Sequence, residues 1–111
     1  MLKGIVASKG NKNVIFGQIY NLDLNMYNSK IILNKSNDIL VIKYTYIDLD
    51  TIMKQAKAII TETGGLLSHA AIVSREFGIP CIVGVKDITK KLKTGDKIEL
   101  NLINGTIKII K

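Results

Sequence analysis

Between residues 58 and 84 the chain changes period twice, and this decides what kind of domain it can build. Ala58-Ile59-Ile60-Thr61 is a short, β-branched apolar run without polar alternation, the pattern of a strand buried on both faces. Gly64-Gly65 interrupts it. Ser68 is a good helix cap, and Ala70, Val73 and Phe77 beyond it share one helical face, which predicts a helix over residues 69–77. Gly78 suits the end of that helix, and Pro80 prevents its continuation. Cys81-Ile82-Val83-Gly84 then reads as a second apolar strand. A strand, helix and strand in such close order form a unit of α/β architecture.

The flanking sequence fits around this unit. Residues 4–8 and 13–20 are rich in β-branched side chains and read as strands separated by Lys9-Gly10-Asn11-Lys12. Residues 30–33 and 38–43 read as two more. Asp48 is placed to cap a helix running through Leu49, Ile52, Met53 and Ala56. Residues 87–92 predict a short helix. The C-terminal stretch reads as a β-hairpin, residues 97–103 and 106–110 about an Asn104-Gly105 turn. The expectation is one domain over residues 1–111: α/β, sandwich-like, with a mixed sheet packed with helices and a C-terminal hairpin.

A chain of 111 residues holds one modest core. Separate nucleotide and substrate domains do not fit, so any enzyme chemistry is small or shared with another protein. The formal net charge is +7, from 16 Lys+Arg against 9 Asp+Glu, a balance that suits anionic ligands or surfaces. The lysines are scattered, with Lys90, Lys91 and Lys93 the densest group. Aromatics are 5%, too few for the stacking platforms of single-strand binders. A solvated basic surface is therefore expected, not a nucleic-acid interface. No apolar run approaches a membrane span, and residues 1–9 lack a signal-peptide stretch. One cysteine, Cys81, allows no internal disulfide. These features together lead to the expectation of a soluble, cytoplasmic protein without membrane partners. Cys81 itself, in an apolar strand after Pro80, reads as a buried structural thiol. Asp48 and Asp50 read as helix-start residues, and no metal site is expected.

The lone histidine, His69, falls at the first turn of the helix after Gly64-Gly65. By itself it reads more plainly as a satisfied core or surface side chain, and the Gly-Gly-helix context brings the two readings level. Its position carries a chemical consequence, however. The positive end of the helix dipole disfavours imidazolium and favours a neutral nucleophile. The unpaired N–H groups of the same helix end form a site for an anion. One geometry thus serves both a histidine nucleophile and a phosphoryl group placed on it.

The run Thr61-Glu62-Thr63-Gly64-Gly65-Leu66-Leu67-Ser68-His69-Ala70, continuing through Arg75 to Gly78-Ile79-Pro80 and Val83-Gly84, resembles the signature of the phosphoenolpyruvate-utilising enzymes. That family includes pyruvate phosphate dikinase, phosphoenolpyruvate synthase, Enzyme I of the sugar phosphotransferase system and rifampicin phosphotransferase. The likeness extends from Gly4 to Gly105 and implies a complete mobile domain, the swivelling β/β/α phosphohistidine type. By that resemblance His69 is the phosphoryl carrier, and Thr61, Gly64, Gly65 and Ser68 shape the loop and helix start around it. Arg75 matches the family's arginine; it has either a phosphate or partner acid to meet, or, more plainly, Glu76 or a backbone carbonyl.

The resemblance further implies nucleotide-binding or phosphoenolpyruvate-binding partner proteins, with Mg and ATP or phosphoenolpyruvate held there and no cofactor on this domain. The expected function is a stand-alone carrier subunit of a split dikinase or phosphotransferase. A non-catalytic regulatory or interaction module is the alternative. Two departures stand out: Leu67 occupies a place where many members have Thr, and Asn101-Leu102 replaces an Asp-Gly pair in the closing hairpin.

Overall fold

The computed structural model describes residues 2–110. In chain order the elements are β1 (Leu2–Lys3), β2 (Ile5–Ser8), β3 (Val14–Asn21), β4 (Asp38–Ile42), α1 (Asp50–Lys54), β5 (Ala58–Thr61), α2 (His69–Phe77), β6 (Cys81–Val83), α3 (Ile88–Lys91), β7 (Lys97–Asn101) and β8 (Thr106–Ile110). All the strands join one eight-stranded mixed sheet in the order β1-β8-β7-β3-β4-β5-β6-β2. Strands β3 to β6 run parallel to their neighbours in this series, and the remaining pairings are antiparallel. This is the mixed α/β architecture, with its C-terminal hairpin, that the sequence predicts.

The two strands at the ends of that order, β1 and β2, are separated in the chain by Gly4 alone. The sheet therefore curls until both its ends meet on one N-terminal segment, which removes exposed edges. Closure brings backbones into direct contact. The Gly4 N–H donates to the Gly105 carbonyl at 3.0 Å. A Cβ on Gly4 would lie 2.6 Å from the Val83 carbonyl oxygen, and one on Gly105 would lie 2.3 Å from the Gly4 oxygen. Gly105 also has φ +76°, a conformation that costs other residues energy.

The curled sheet makes two cores. Ile39 and Val41 of β4, Ala58 and Ile60 of β5 and Ile82 of β6 point to the sheet's concave side, where Ile15, Ile19, Ile98, Leu100 and Ile107 meet them. Leu40, Ile42, Ile59, Cys81 and Val83 point the other way, against Ile52 and Met53 of α1 and Ala70, Ala71 and Val73 of α2. Strict alternation with both faces buried explains why these three strands read as unbroken apolar runs. The result is a β/β/α stack. No helix among the described residues is long and apolar enough to cross a membrane.

Three local expectations are corrected. Residues 30–33 are loop, not strand. Both edges of β3 are taken by β4 and β7, and those of β4 by β3 and β5, so this run finds no neighbour to pair with. It instead inserts Leu33 into the helix-side core, its N–H donating to Gln55 Oε1 at 2.9 Å. Asp48 does not cap a helix. It lies in a 3-10 turn, Ile47–Leu49, and α1 begins only at Asp50 without a side-chain cap. The hairpin turn is longer than Asn-Gly: β7 ends at Asn101, which pairs with Thr106. Leu102 is drawn into the core there, and Asn101 Oδ1 accepts from the N–H groups of Ile103 and Asn104 at 2.9 and 3.2 Å.

Gly105→Ala should destabilise the fold by about 2–4 kcal/mol, the combined cost of left-handed backbone and overpacking. Urea unfolding checks this; a loss under about 0.5 kcal/mol would show that sheet closure tolerates a side chain there.

Candidate functional site

Because β4 and β5 are parallel neighbours with Ile42 opposite Thr61, the segments leaving their C-terminal ends run side by side. Backbone bonds zip them together, Glu62 N–H to the Ile42 carbonyl at 3.1 Å and Thr63 N–H to the Lys43 carbonyl at 3.0 Å. Such a crevice beyond the carboxyl ends of parallel strands is where open α/β sheets place their ligands. Here it receives residues 43–50 from one strand and residues 62–69 from the other.

The loop into α2 is tightly built. The Thr61 hydroxyl donates to the Thr63 carbonyl at 2.7 Å and is fully buried. Gly64 has φ +105°, and a Cβ there would come within 2.9 Å of Ser68 Cβ and Oγ. Glycine is required for Ser68 to tuck under the loop. Gly65 is different: a Cβ there would meet nothing within 4 Å, and its φ is not left-handed. Of the Gly64-Gly65 pair that interrupts the strand pattern, only Gly64 uses a glycine's conformational freedom. Ser68 caps α2, its Oγ accepting from Ala71 N–H at 3.4 Å while donating to the Gly65 carbonyl at 2.8 Å. The segment from Thr61 to His69 thereby becomes one preorganised turn that presents the imidazole from the first helical position.

Two side chains that the sequence did not mark as site residues meet the ring. Thr45 Oγ1 lies 2.7 Å from His69 Nδ1, and Asp50 Oδ1 lies 3.1 Å from Nε2. The hydroxyl either donates to a bare Nδ1 or accepts from Nδ1–H, and in both cases it fills that nitrogen's in-plane direction. The Asp50 contact is close but lacks the alignment of a hydrogen bond, leaving Oδ1 buried without a hydrogen-bond partner. The His69 side chain keeps 29% of its surface exposed. It is neither sealed in the core nor loose on the surface. Thr45 and Asp50 stand 24 and 19 positions before the histidine. The parallel order of β4 and β5 was the one signal able to bring them to it.

Residues 34–105 match the PEP-utilising enzyme, mobile domain, family. The chain belongs to this family. The phosphoenolpyruvate synthase of Pyrococcus furiosus is 53% identical over 73 residues, which are 66% of this chain and 9% of that protein. The chain thus spans about a tenth of the length of the curated relatives it matches. Among solved structures, an Enzyme I solution structure superposes with a TM-score of 0.59 at 25% identity, covering 73% of this chain and 32% of that one. Aconitase X of Thermococcus kodakaraensis gives a TM-score of 0.71 at 20% identity, covering 99% of this chain and 98% of that one. That second likeness is one of fold alone.

In this mobile domain Arg75 does not meet the ring. Its guanidinium donates to the carbonyls of Ala7 at 3.3 Å and Leu66 at 2.7 Å, tying β2 to the loop before α2. Six positions along a helix is about 240° of rotation, which turns Arg75 away from His69. Leu67 is 86% exposed. Exposed Tyr44, Tyr46, Ile47 and Leu66 flank Thr45 and Leu67 in the chain. Glu62, next after Thr61, turns its carboxylate to Thr89. The Thr89 hydroxyl, donating to it at 2.6 Å, holds its carboxyl below the usual carboxylate range, helped by the Thr89 N–H and by Lys43 and Lys90. Among the described residues no group of three His, Cys, Asp or Glu side chains gathers to hold a metal ion.

Cys81 is buried beneath α2, with Sγ 4.0 Å from the Ala70 carbonyl, and burial pushes its thiol up to about 11. The native protein should resist iodoacetamide at pH 8 and be alkylated once unfolded, because the thiolate is the reactive form; mass spectrometry of both samples decides it. Leu67→Thr should leave stability within about 0.5 kcal/mol. A larger drop in urea unfolding would make Leu67 a packing residue.

Proposed function

We propose that this domain is a phosphoryl carrier, accepting and passing on a phosphoryl group through Nε2 of His69 as a subunit of a split PEP-utilising dikinase or phosphotransferase. One observation carries the reading: Thr45 occupies Nδ1, while Nε2 has no aligned hydrogen bond and the His69 side chain keeps 29% of its surface exposed. A nucleophilic nitrogen must direct its in-plane lone pair at phosphorus, and Nε2 is the nitrogen left to do so. In the forward step the Nε2–P bond forms and the bond from phosphorus to its leaving group breaks, the leaving group keeping the electron pair. The onward step reverses this with an acceptor in place of the leaving group. Thr45 fixes the ring's rotation throughout.

The partners are nucleotide-binding and phosphoenolpyruvate-binding domains, which hold Mg and ATP or phosphoenolpyruvate. The length of the relatives, mostly sequence outside this region, supports such domains as the places where the transferred group is made and used. Tight preorganisation of residues 61–69 supports a carrier whose reactive group arrives correctly oriented at each partner. Unpaired basic charge suits approach to phosphorylated compounds: among the described residues no Lys or Arg lies within 4 Å of an Asp or Glu carboxylate. Phosphorylated donors and a free buried thiol fit a cytoplasmic setting.

Phosphoramidate phosphorylates imidazole without an enzyme and so tests the carrier by itself. A base-stable, acid-labile label should appear on the protein and disappear in His69→Ala. A label that persists in His69→Ala refutes the assignment.

A further inference from the structure

We infer that Asp50 is a catalytic residue of this site: its carboxylate takes the proton from His69 Nε2 as the phosphoryl group arrives and keeps it while the ring is phosphorylated. The inference rests on the carrier reading and adds the fate of a proton to it.

Four observations support it. Asp50 Oδ1 is 3.1 Å from Nε2, hydrogen-bond distance from the nitrogen that must lose a proton before it can attack. Oδ1 is buried and has no hydrogen-bond partner, so it has an open acceptor position and nothing else to satisfy it. It does not meet hydrogen-bond geometry at Nε2, so the carboxylate takes the proton by a small rotation toward the ring and then leaves the Nε2 axis to phosphorus. Finally, no Lys or Arg nitrogen among the described residues lies within 4 Å of the carboxylate. A carboxylate this close to a phosphoryl group meets like charge without a compensating cation, a repulsion that water screens only in part because the His69 and Asp50 side chains are 29% and 34% exposed. A protonated Asp50 meets no such repulsion and can donate a hydrogen bond to a phosphoryl oxygen.

The step balances without any further reactant. Starting from the imidazolium, Nε2–H and an ionised carboxylate become a bare Nε2 and a carboxylic acid, with Nδ1–H kept and donated to Thr45 Oγ1; the neutral Nδ1–H tautomer attacks with no proton to move. The Nε2 lone pair then forms the bond to phosphorus as the leaving group departs with its electron pair. On transfer to an acceptor the proton returns from Asp50 to Nε2.

Apart from Asp48, in the 3-10 turn packed against α1, the elements around α2 provide no rival for the proton. α2 packs against α1, β2, β5 and β6. β2 and β5 carry no titratable side chain, and β6 carries Cys81, which burial keeps neutral. On α1, Lys54 lies over the Phe77 ring at the far end of α2, 4.7 Å from its centroid. On α2 itself Arg75 is held by two carbonyls, and Glu76 follows it at the far end. No second carboxylate among the described residues comes within 4 Å of a ring nitrogen.

The test is the pH profile of His69 labelling by phosphoramidate in the full chain. In wild type, the proton is stored locally and labelling should stay level below the ordinary imidazole range of about 6.5. In Asp50→Asn, which keeps the shape but cannot store the proton, labelling should fall tenfold or more by one and a half pH units below that range and approach wild type at pH 8. Asp50→Ala should show the same acid loss and serves if the Asn variant does not fold. Superimposable profiles, with His69 still labelled in all three proteins, overturn the role of Asp50 and leave the carrier standing. Absence of label on wild-type His69 at every pH overturns the carrier, and the proton role with it.

Discussion

Burying β4, β5 and β6 on both faces is the constraint on which the rest of this structure depends. A strand with two apolar faces needs a layer on each side, and this chain supplies one by curling its own sheet and the other with α1 and α2. Parallel strands must be joined by crossovers, which places both helices on the same outer face. The same parallel order gathers the strands' C-terminal ends in one place, and the site lies there. Sheet closure at Gly4 and Gly105 supports the inner layer, far from the chemistry yet essential to the core that holds it.

The site follows from how that packing treats backbone polarity. Past Thr63 the turn out of β5 leaves the sheet, and there the Thr61 hydroxyl takes up the Thr63 carbonyl while the Ser68 hydroxyl and N–H both donate to the Gly65 carbonyl. Their bonds set the direction in which α2 starts, and that direction sets where His69 points. Thr45 and Asp50 then meet the ring from the neighbouring loop. A hydroxyl bonds one nitrogen, and a carboxylate lies near the other without an aligned hydrogen bond. Arg75 works at a distance, holding the loop to β2 through the carbonyls of Leu66 and Ala7.

Much of this was legible in the chain. The apolar runs at residues 58–61 and 81–84, the Ser68 cap and the Gly78 stop give the central unit because each acts through local backbone preference. The run from Thr61 to Gly84 carries the family resemblance and singles out His69. Where pairing partners decide the outcome, local reading falls short. Residues 30–33 have strand composition, but no open strand lies beside them. Asp48 has the composition of a cap, yet the helix starts after a 3-10 turn, and Asp50 turns to the histidine instead.

By itself, then, the sequence determined the α/β unit, the glycine that must adopt a left-handed turn, the capped helix and the histidine at its head. All of these arise from interactions within a few residues of one another. Only the tertiary structure decided which nitrogen of that histidine is free, because Thr45 and Asp50 reach it across two loops whose adjacency comes from strand order. It likewise decided that Gly65 is sterically unconstrained, that Leu67 faces solvent and that Arg75 serves the backbone. Side-chain environment is a sum over neighbours distant in the chain, and no local pattern of residues records that sum.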